Sequence, residues 1–417
     1  MNILAVLYCY PPLLFPATLC YLKLVTGLRK YGHSVTAVTV DPDSFDLYDE
    51  NLLDSTLERF LPGGVVNYRV RSWESNPLLK FMKGRGIGRE MLYRMFEPKK
   101  REWVFPAVRS LKKLDLSSYD LILSCSQPHA NHLIGYWLKE RTRKPWIAYF
   151  SDPWTDNMYT HYRDAKALRY NREWEDRVIG AADVVLFTSE EMLRLVMEKY
   201  PRGMARKCGV LPHSFIPEWY GLPGGLMEDP ERRRGRLRFV HTGHFYGPRT
   251  PLPLFDALGR LRKEVDLEER MEVHCYGLME EKYRELAREK GLLRFVHLHQ
   301  PIPYFSSLSA MREADYLLLV DAPLQKGGES VFLPSKLIDY LGSYRPVIGI
   351  TPEEGASARV LRETGNLVCA LESEKEIRAC LRRILEGTLA VTPEREGIER
   401  YHYLSVTGQL DTLIKER

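Results

Sequence analysis

The sequence lacks most features that mark secreted, membrane-spanning or zinc-binding proteins. Its seven cysteines are scattered and odd in number, with no C-x-x-C pair, which argues against a disulfide framework or a zinc knuckle. No stretch reaches the roughly 18–20 apolar residues of a membrane span. The N-terminal MNILAVLYCYPP has neither the basic region nor the long apolar core of a signal peptide. These absences predict a cytoplasmic protein with reduced thiols.

The chain also has little net charge, and it lacks a dinucleotide-binding motif after its first predicted strand. The net charge is only +5 over 417 residues, which gives no general signal for nucleic acid. The loop after the first predicted strand, residues 2–8, has no G-x-G-x-x-G, so a dinucleotide cofactor is not expected. Hydrophobic residues at 44% and charged residues at 28% are usual for a globular protein of two or three domains.

Apolar runs alternate with amphipathic helices along most of the chain. Residues 2–8 and 34–40 are predicted as buried strands with a helix over 17–31 between them, which makes a right-handed crossover unit. Strand and helix alternate again over residues 237–370, after a segment at 217–236 rich in Gly, Pro and charge. The pattern predicts an α/β protein with domains at 1–215 and 216–396 and a closing helix at about 397–417.

Residues 323–350 combine a glycine-bearing loop, a helix start and a short buried strand. Pro334 suits the start of a helix, and Ser335 is expected to cap its free amides. Amides at a helix start, beside a glycine loop and Lys336, form a ready site for an anionic ligand. Asp339 lies one turn beyond Lys336 and is suited to sugar hydroxyls. The segment fits a nucleotide-sugar site, or else an ordinary loop, helix and strand with a surface Lys–Asp pair.

Asp152 follows a second informative strand, WIAYF, at residues 146–150. Ligands of open parallel sheets bind beyond the carboxyl ends of the strands, so Asp152 is placed where a reacting group belongs. The other interpretation is that its carboxylate caps the loop that follows. His129 and His132 begin the preceding predicted helix. Either fits a hydrogen-bonded helix histidine, and neither is predicted as a metal ligand.

Residues 69–113 form the most basic part of the chain. Thirteen lysines and arginines stand there against four glutamates, interleaved with aromatic and aliphatic residues. Such a stretch can lie on an anionic bilayer, or it can be a core-packing helix with a solvated basic face. Nucleic acid is a weaker third interpretation, because no recognition motif accompanies the charge.

Three segments carry a resemblance to a known family. They are SCSQPHANHLIG with PWIAYFSDPW (124–154), LRFVHTGHFYGPRTPL (237–252) and VFLPSKLIDYLGSYRPVIG (331–349). They resemble retaining glycosyltransferases of family 4, of the type that acts on bacterial surface polysaccharides. The resemblance implies the GT-B fold, in which two Rossmann-like domains face each other across a cleft and a C-terminal helix crosses back to the N-terminal domain. It also implies transfer of a sugar from a nucleotide diphosphate, UDP above all, to a glycan or lipid-linked acceptor.

The resemblance assigns residues on the acceptor side. Asp152 is expected to face the acceptor hydroxyl and to act as the catalytic group. The loop after the first strand, with Pro12 and Thr18, is expected near the acceptor, as are His132 and Trp154.

On the donor side, Asp339 stands where the family has the acid that binds the nucleotide ribose. The commoner form of the family has a second Glu eight residues earlier, where this chain has Val331, and Glu329 is the nearby substitute. Arg249 lies just before a predicted helix, well placed for a phosphate. The remaining residues expected around the diphosphate are Gly243, Leu333, Pro334, Ser335 and Lys336.

No Asp-x-Asp motif occurs in the predicted donor domain, so neither a metal nor another cofactor is expected. Two other classes stay open. A nucleotide-sugar epimerase would convert the donor with no acceptor present, and a non-catalytic partner subunit would keep the fold without the chemistry. The predicted partners are a nucleotide sugar, a glycan or lipid-linked acceptor and the inner face of a membrane, with no nucleic acid.

Overall fold

The computed structural model describes residues 1–44, 53–74, 76–78, 81, 97–221, 235–323 and 330–416. The chain divides into two compact units, one of Met1–Pro212 with Tyr403–Arg417 and the other of His213–His402. Both are α/β units, as the alternation of strands and helices predicts. Of the helices in the described ranges, none is both long and apolar enough to cross a bilayer.

The described part of the first unit contains a seven-stranded sheet, which is parallel throughout. Its order is β3-β2-β1-β4-β5-β6-β7. β4 and β5 are buried at every residue, as expected of central parallel strands covered on both faces, although β4 includes Ser124 and Ser126. The strands are β1 (Asn2–Val6), β2 (Ser34–Val40), β3 (Val65–Val70), β4 (Leu121–Ser126), β5 (Trp146–Phe150), β6 (Val184–Phe187) and β7 (Cys208–Val210).

Helices connect these strands, and two of them begin at a clear side-chain cap. The carboxylate of Asp164 accepts hydrogen bonds from the amides of Lys166 and Ala167, and the hydroxyl of Ser189 accepts one from the amide of Met192. The helices are α1 (Pro16–Lys30), α2 (Val104–Leu111), α3 (Ala130–Thr142), α4 (Ala165–Ala181) and α5 (Glu190–Met197).

The second unit has a six-stranded parallel sheet in its described residues, in the order β10-β9-β8-β11-β12-β13. The strands are β8 (Leu237–Thr242), β9 (Met271–Tyr276), β10 (Val296–His299), β11 (Tyr316–Val320), β12 (Val347–Thr351) and β13 (Leu367–Ala370). The helices are α6 (Leu252–Leu261), α7 (Glu281–Glu289), α8 (Tyr304–Glu313), α9 (Ser335–Gly342), α10 (Ala356–Glu363), α11 (Glu374–Leu385) and α12 (Arg395–Glu399).

Helix α9 begins at Ser335, as the sequence predicts, but Ser335 is not its cap. The N-cap residue is Pro334, which has extended backbone angles and offers no side-chain hydrogen bond. Ser335 is therefore the first residue inside the helix, where its hydroxyl is not in the capping position. The helix packs on the core through Leu337, Ile338 and Leu341, the apolar positions expected from its periodicity.

The last helix, α13 (Tyr403–Lys415), belongs to the first unit and packs against α1. A Cβ atom at Gly27 of α1 would overlap the side chain of Thr407 in α13, so glycine allows the two helices to approach closely. Two polar contacts flank this point: Nε2 of His33 lies 2.8 Å from Oδ1 of Asp411, and the Tyr31 hydroxyl donates to the carbonyl of Leu404 at 3.0 Å. The C-terminal helix therefore returns to the N-terminal unit, as predicted.

Candidate functional site

The strand order places one switch point in each sheet. The chain moves outward from β1 to β3 and then returns to the other side of β1 with β4, and β8 to β11 repeat this pattern. Ligands of open parallel sheets bind beyond the carboxyl ends of the strands at such a point. The switch point of the first sheet lies between β1 and β4, and that of the second between β8 and β11.

Gly243 and Lys336 meet at the carboxyl end of β8. Gly243 follows the strand with φ +111°, a conformation that favours glycine. A Cβ atom at this position would lie 3.2 Å from Nζ of Lys336, which is in the first turn of α9. The lysine donates to the carbonyl of Thr242 at 3.5 Å. Glycine at 243 therefore leaves room for the lysine at the end of the strand.

The pKa of Lys336 is lowered to about 7, chiefly by burial and next by the positive charge of Arg249, while Asp321 opposes both effects. A bound anion would favour the charged form of the lysine. His241 is buried nearby, and its pKa lies well below the usual range because of burial and the charge of Lys336. The imidazole is therefore neutral at pH 7.

Asp321 holds Arg249 at the carboxyl end of β11. Nη2 of Arg249 donates to Oδ1 of Asp321 at 3.2 Å, and the hydroxyl of Ser357 donates to Oδ2 at 2.7 Å. The guanidinium also lies over the ring of Tyr246, 5.5 Å from its centroid. Sequence reasoning missed Asp321, although a carboxylate directly after a buried strand was the available signal.

Asp339 is buried in α9, with 6% of its surface exposed. Its Oδ1 accepts a hydrogen bond from the hydroxyl of Tyr304 at 3.1 Å, and its main-chain carbonyl accepts one from the hydroxyl of Tyr220 at 2.6 Å. Two tyrosines thus fix both the helix turn and the carboxylate. Because a carboxylate has about four acceptor positions, the bond from Tyr304 leaves capacity for a ligand hydroxyl.

Four further residues are predicted on the donor side, and the structure describes three of them. Glu329 lies outside the described residues. Pro334 has no amide hydrogen, so any contribution of the main chain at this helix start must come from its neighbours. Leu333 is buried, with 5% exposed, and Ser335 opens α9.

In the first unit, the carboxylate of Asp152 is held by side chains. Nε2 of Gln127 donates to Oδ2 at 2.9 Å, and the hydroxyl of Ser151 donates to the same oxygen at 3.3 Å. Burial raises the pKa of Asp152, and these two hydrogen bonds oppose that shift. No amide of the following loop is among the described partners of the carboxylate, which distinguishes Asp152 from a simple loop cap.

His132 and Trp154 lie in one aromatic group around His129, next to Asp152. The rings of His129 and Trp154 are stacked, with centroids 4.8 Å apart, and Nε2 of His129 lies 3.4 Å from the carbonyl oxygen of Asp152. Burial lowers the pKa of His129 to about 4 and that of His132 well below its usual range, so both rings are neutral at pH 7. Nδ1 of His132 bonds to the hydroxyl of Ser124 at 2.8 Å, while its Nε2 has no hydrogen-bond partner among the described residues.

Pro12 and Thr18 have no described contact with this group. Thr18 is buried in α1, and the carbonyl of Pro12 accepts a hydrogen bond from the amide of Asp54 at 2.8 Å. No described hydrogen bond or ring contact joins either residue to Asp152. The structure therefore groups His132 and Trp154 with the predicted catalytic acid, but not Pro12 and Thr18.

The basic stretch at 69–113 is described only in part, since residues 75, 79–80 and 82–96 are outside the described ranges. Within the described part, Lys100 pairs with the buried Glu74, and Arg101 donates to the hydroxyl of Tyr170 at 2.6 Å. Two exposed rings, Trp73 and Phe105, stack with centroids 5.9 Å apart. Internal ion pairs and exposed aromatic surface therefore occur side by side in this stretch.

The chain does contain one Asp-x-Asp sequence, Asp41-Pro42-Asp43, in the first unit. It follows β2, and Oδ1 of Asp41 accepts a hydrogen bond from the amide of Asp43 at 3.0 Å. The motif therefore makes a local turn and lies outside the unit that carries the candidate donor residues.

Comparisons with known proteins bear on this arrangement. Residues 20–218 match the family model described as Glycosyltransferase Family 4. The whole chain is similar in structure to HepE from Anabaena, solved with UDP and glucose, with TM-score 0.66, 14% identity and full coverage of both chains. It is similar to sucrose-phosphate synthase from Thermosynechococcus elongatus, with TM-score 0.65, 14% identity and coverage of 100% and 98%. A putative UDP-N-acetylglucosamine 2-epimerase from Listeria monocytogenes matches with TM-score 0.58, 11% identity and coverage of 100% and 96%.

No curated protein sequence matches the chain. At 11–14% identity the solved structures establish the fold, which is GT-B. The two parallel-sheet units and the family match together define a glycosyltransferase. The match of residues 20–218 to the Glycosyltransferase Family 4 model agrees with the family that the sequence motifs imply, and the solved structures confirm the fold.

Proposed function

We propose that the protein is a retaining glycosyltransferase that moves a sugar from a nucleotide diphosphate sugar, with UDP as the preferred carrier, to a hydroxyl group of an acceptor glycan. Its place would be the synthesis of cell-surface polysaccharides or glycoconjugates. The observation that carries the proposal is the pair of cations, Lys336 and Arg249, at the carboxyl end of the second sheet. The likeness to HepE, which was solved with UDP and glucose, supports the choice of carrier.

The leaving diphosphate needs its developing charge stabilised by groups that are already in place. Arg249 can bind two phosphate oxygens through its planar guanidinium, and Lys336 supplies a point charge from the first turn of α9. Gly243 leaves open the space into which a side chain at that position would project. Since these groups neutralise the diphosphate, we propose that transfer needs no metal ion and no other cofactor.

Asp339 would bind the ribose. Its carboxylate is an acceptor only when ionised, so it suits two neighbouring hydroxyl donors. The hydroxyl of Tyr304 orients it from one side at 3.1 Å. We propose that Glu329 contacts the donor sugar. The commoner form of the family has a glutamate at the position of Val331, and Glu329 would replace it.

Asp152 would orient the acceptor hydroxyl or receive its proton. Burial raises the pKa of this carboxyl, which brings it closer to the range in which a general base works well at neutral pH. Gln127 and Ser151 hold the carboxylate from one side. Trp154 and His132 would then line the acceptor side. Pro12, in the loop before α1, and Thr18, in the first turn of α1, stay proposed acceptor residues although no described contact joins them to this group.

Binding measurements test the donor site directly. Isothermal titration with UDP-, GDP-, ADP- and dTDP-sugars should give one preferred donor for the wild-type protein, and Lys336→Ala and Asp339→Ala should lose it. Lys375→Ala is the matched control, because Lys375 is an exposed lysine of the same unit. The absence of binding across the panel, or equal loss in Lys375→Ala, would overturn the assignment. Conversion of the donor without any acceptor would indicate an epimerase.

We also propose a peripheral contact with the cytoplasmic face of a membrane, through the exposed rings of Trp73 and Phe105 and the exposed Arg109 near them in sequence. Charge reversal at Lys100 or Arg101 would break internal contacts, so it is a poor test. Flotation with anionic vesicles should instead weaken in Phe105→Ser and Arg109→Glu and stay unchanged in Leu293→Ser. Equal flotation of all variants would exclude this surface.

A further inference from the structure

Polar side chains line one face of the neighbouring strands β9 and β10, away from the candidate donor residues. Glu272 and His274 lie on β9, and His297 and His299 lie on β10, with His297 opposite His274 in the parallel register. Side chains alternate between the two faces of a strand, so these four share a face. The residues that alternate with them on β9 lie on the other face and belong to the hydrophobic core: Met271, Val273 and Cys275.

Three of these side chains bring metal-ligating atoms together. One donor atom each from Glu272, His274 and His297 lies within 4.8 Å of the other two. Oε1 of Glu272 and Nε2 of His274 are 3.5 Å apart. This exceeds the usual N–H···O hydrogen-bond distance of about 2.9 Å. It is close to the roughly 3.4 Å between two ligands of a tetrahedral ion that each lie about 2.1 Å from it.

Neighbouring groups orient the ligands in the way that metal sites require. Nδ1 of His274 lies 3.0 Å from Nε2 of His299, and the two rings are within 3° of parallel. When Nδ1 donates its proton to His299, Nε2 of His274 keeps its lone pair for an ion. Nη2 of Arg236 holds the other oxygen of Glu272, Oε2, at 3.1 Å. Oε1 has no hydrogen-bond partner among the described residues, although it is buried.

The site is closed on one side and open on the other. Glu272 and His274 are 1% and 2% exposed, whereas His297 borders an open cavity of about 630 Å³ that Arg284, Arg288 and His299 also line. An ion can therefore reach the site past His297.

We propose that Glu272, His274 and His297 bind a divalent transition-metal ion of the zinc type, which joins β9 to the edge strand β10. Two imidazoles and one carboxylate form a recognised ligand set for zinc, with water in the fourth position. The site is structural, because its ligands lie within the strands and not beyond their carboxyl ends. Arg238, whose nearest nitrogen lies 4.0 Å from Oε1 of Glu272, opposes the ion, so the affinity should be below that of closed zinc sites.

Titration of the full chain with Co²⁺, after removal of any affinity tag, tests this site. The wild-type protein should bind one equivalent and show the intense visible absorption of a tetrahedral ion, which Zn²⁺ should displace. Zn²⁺ should also raise the Tm. His297→Asn should lose both effects, whereas His161→Asn should keep them, because His161 is an exposed histidine of the first unit.

Glu272→Gln provides a second variant of nearly unchanged shape that removes the anionic ligand. Loss of the absorption in both ligand variants, with binding retained in His161→Asn, would support the site even if one variant were less stable. The proposal is overturned if the wild-type protein binds no Co²⁺ even when the ion is in excess. It is also overturned if His297→Asn and Glu272→Gln bind Co²⁺ as well as the wild type does. Donor binding at Lys336 plays no part in either result, so the two proposals stand or fall separately.

Discussion

Donor binding should weaken as the pH rises through 7, because the lysine at the start of α9 loses its proton there. Burial lowers the pKa of Lys336 to about 7 in the free protein. A lysine is charged below its pKa, so the affinity for a diphosphate is full below pH 7 and falls above it. The charged fraction is about one half at pH 7 and about one hundredth at pH 9. If only the charged form binds, Kd rises roughly 50-fold over this interval, or about 2.3 kcal/mol.

The assay is isothermal titration with the preferred nucleotide diphosphate sugar at several pH values between 6 and 9. Such a donor has no phosphate group that titrates in this range, so a change in affinity comes from the protein. Lys336→Arg should bind with a flat pH profile, since arginine stays charged throughout. Lys336→Ala should bind weakly at every pH. Titrations in buffers of different ionisation enthalpy should show uptake of up to one proton by the wild type above pH 7.

One result would refute this reasoning. If the wild type binds equally well from pH 6 to pH 9 while Lys336→Ala loses binding, then the lysine is charged over the whole range. The negative charge of Asp321 would in that case outweigh burial and the repulsion from Arg249, which is the reverse of the balance described above.

Three further predictions concern single positions. Asp152→Asn should lower kcat by about 10²–10⁴ in steady-state assays and leave donor Kd unchanged, because it removes a general base and no donor contact. Asp321→Ala removes the carboxylate from a buried guanidinium and should lower the free energy of unfolding in urea by about 3–5 kcal/mol. Gly27→Ala should destabilise the protein by about 1–3 kcal/mol because its Cβ overlaps Thr407, whereas Gly180→Ala, in open space on α4, should stabilise it slightly. Equal effects of the two glycine substitutions would contradict the helix contact.

The elements of both sheets could be predicted because each depends on neighbouring residues. The strands at 34–40 and 146–150 and the helix start at 335 coincide with the predicted positions, since apolar period and flanking Gly or Pro specify them locally. The cap of α9 was misassigned by one residue. A proline before the helix can take the N-cap position itself, and composition alone does not tell which of two adjacent residues does so.

The chemistry around the candidate sites was harder to predict, because it joins distant parts of the chain. Arg249 meets Asp321 only after β8 and β11 become neighbours in the sheet. His274 and Glu272 meet His297 only through the parallel register of β9 and β10. A strand is visible in one stretch of sequence, but its neighbour and register are not. The sequence did contain one signal. Polar residues alternate with apolar residues in β9 and β10, whereas strands buried on both faces are usually apolar throughout.

The position of α13 has a consequence for how the protein is made. The face of α1 around Gly27 packs against a helix that is synthesised only after the whole second unit, His213–His402. At about 5–20 residues per second, that delay is roughly ten to forty seconds. During this time the N-terminal unit exposes a helix surface built for a partner that does not yet exist. The packing of the first unit is therefore complete only after Tyr403–Lys415 has been synthesised.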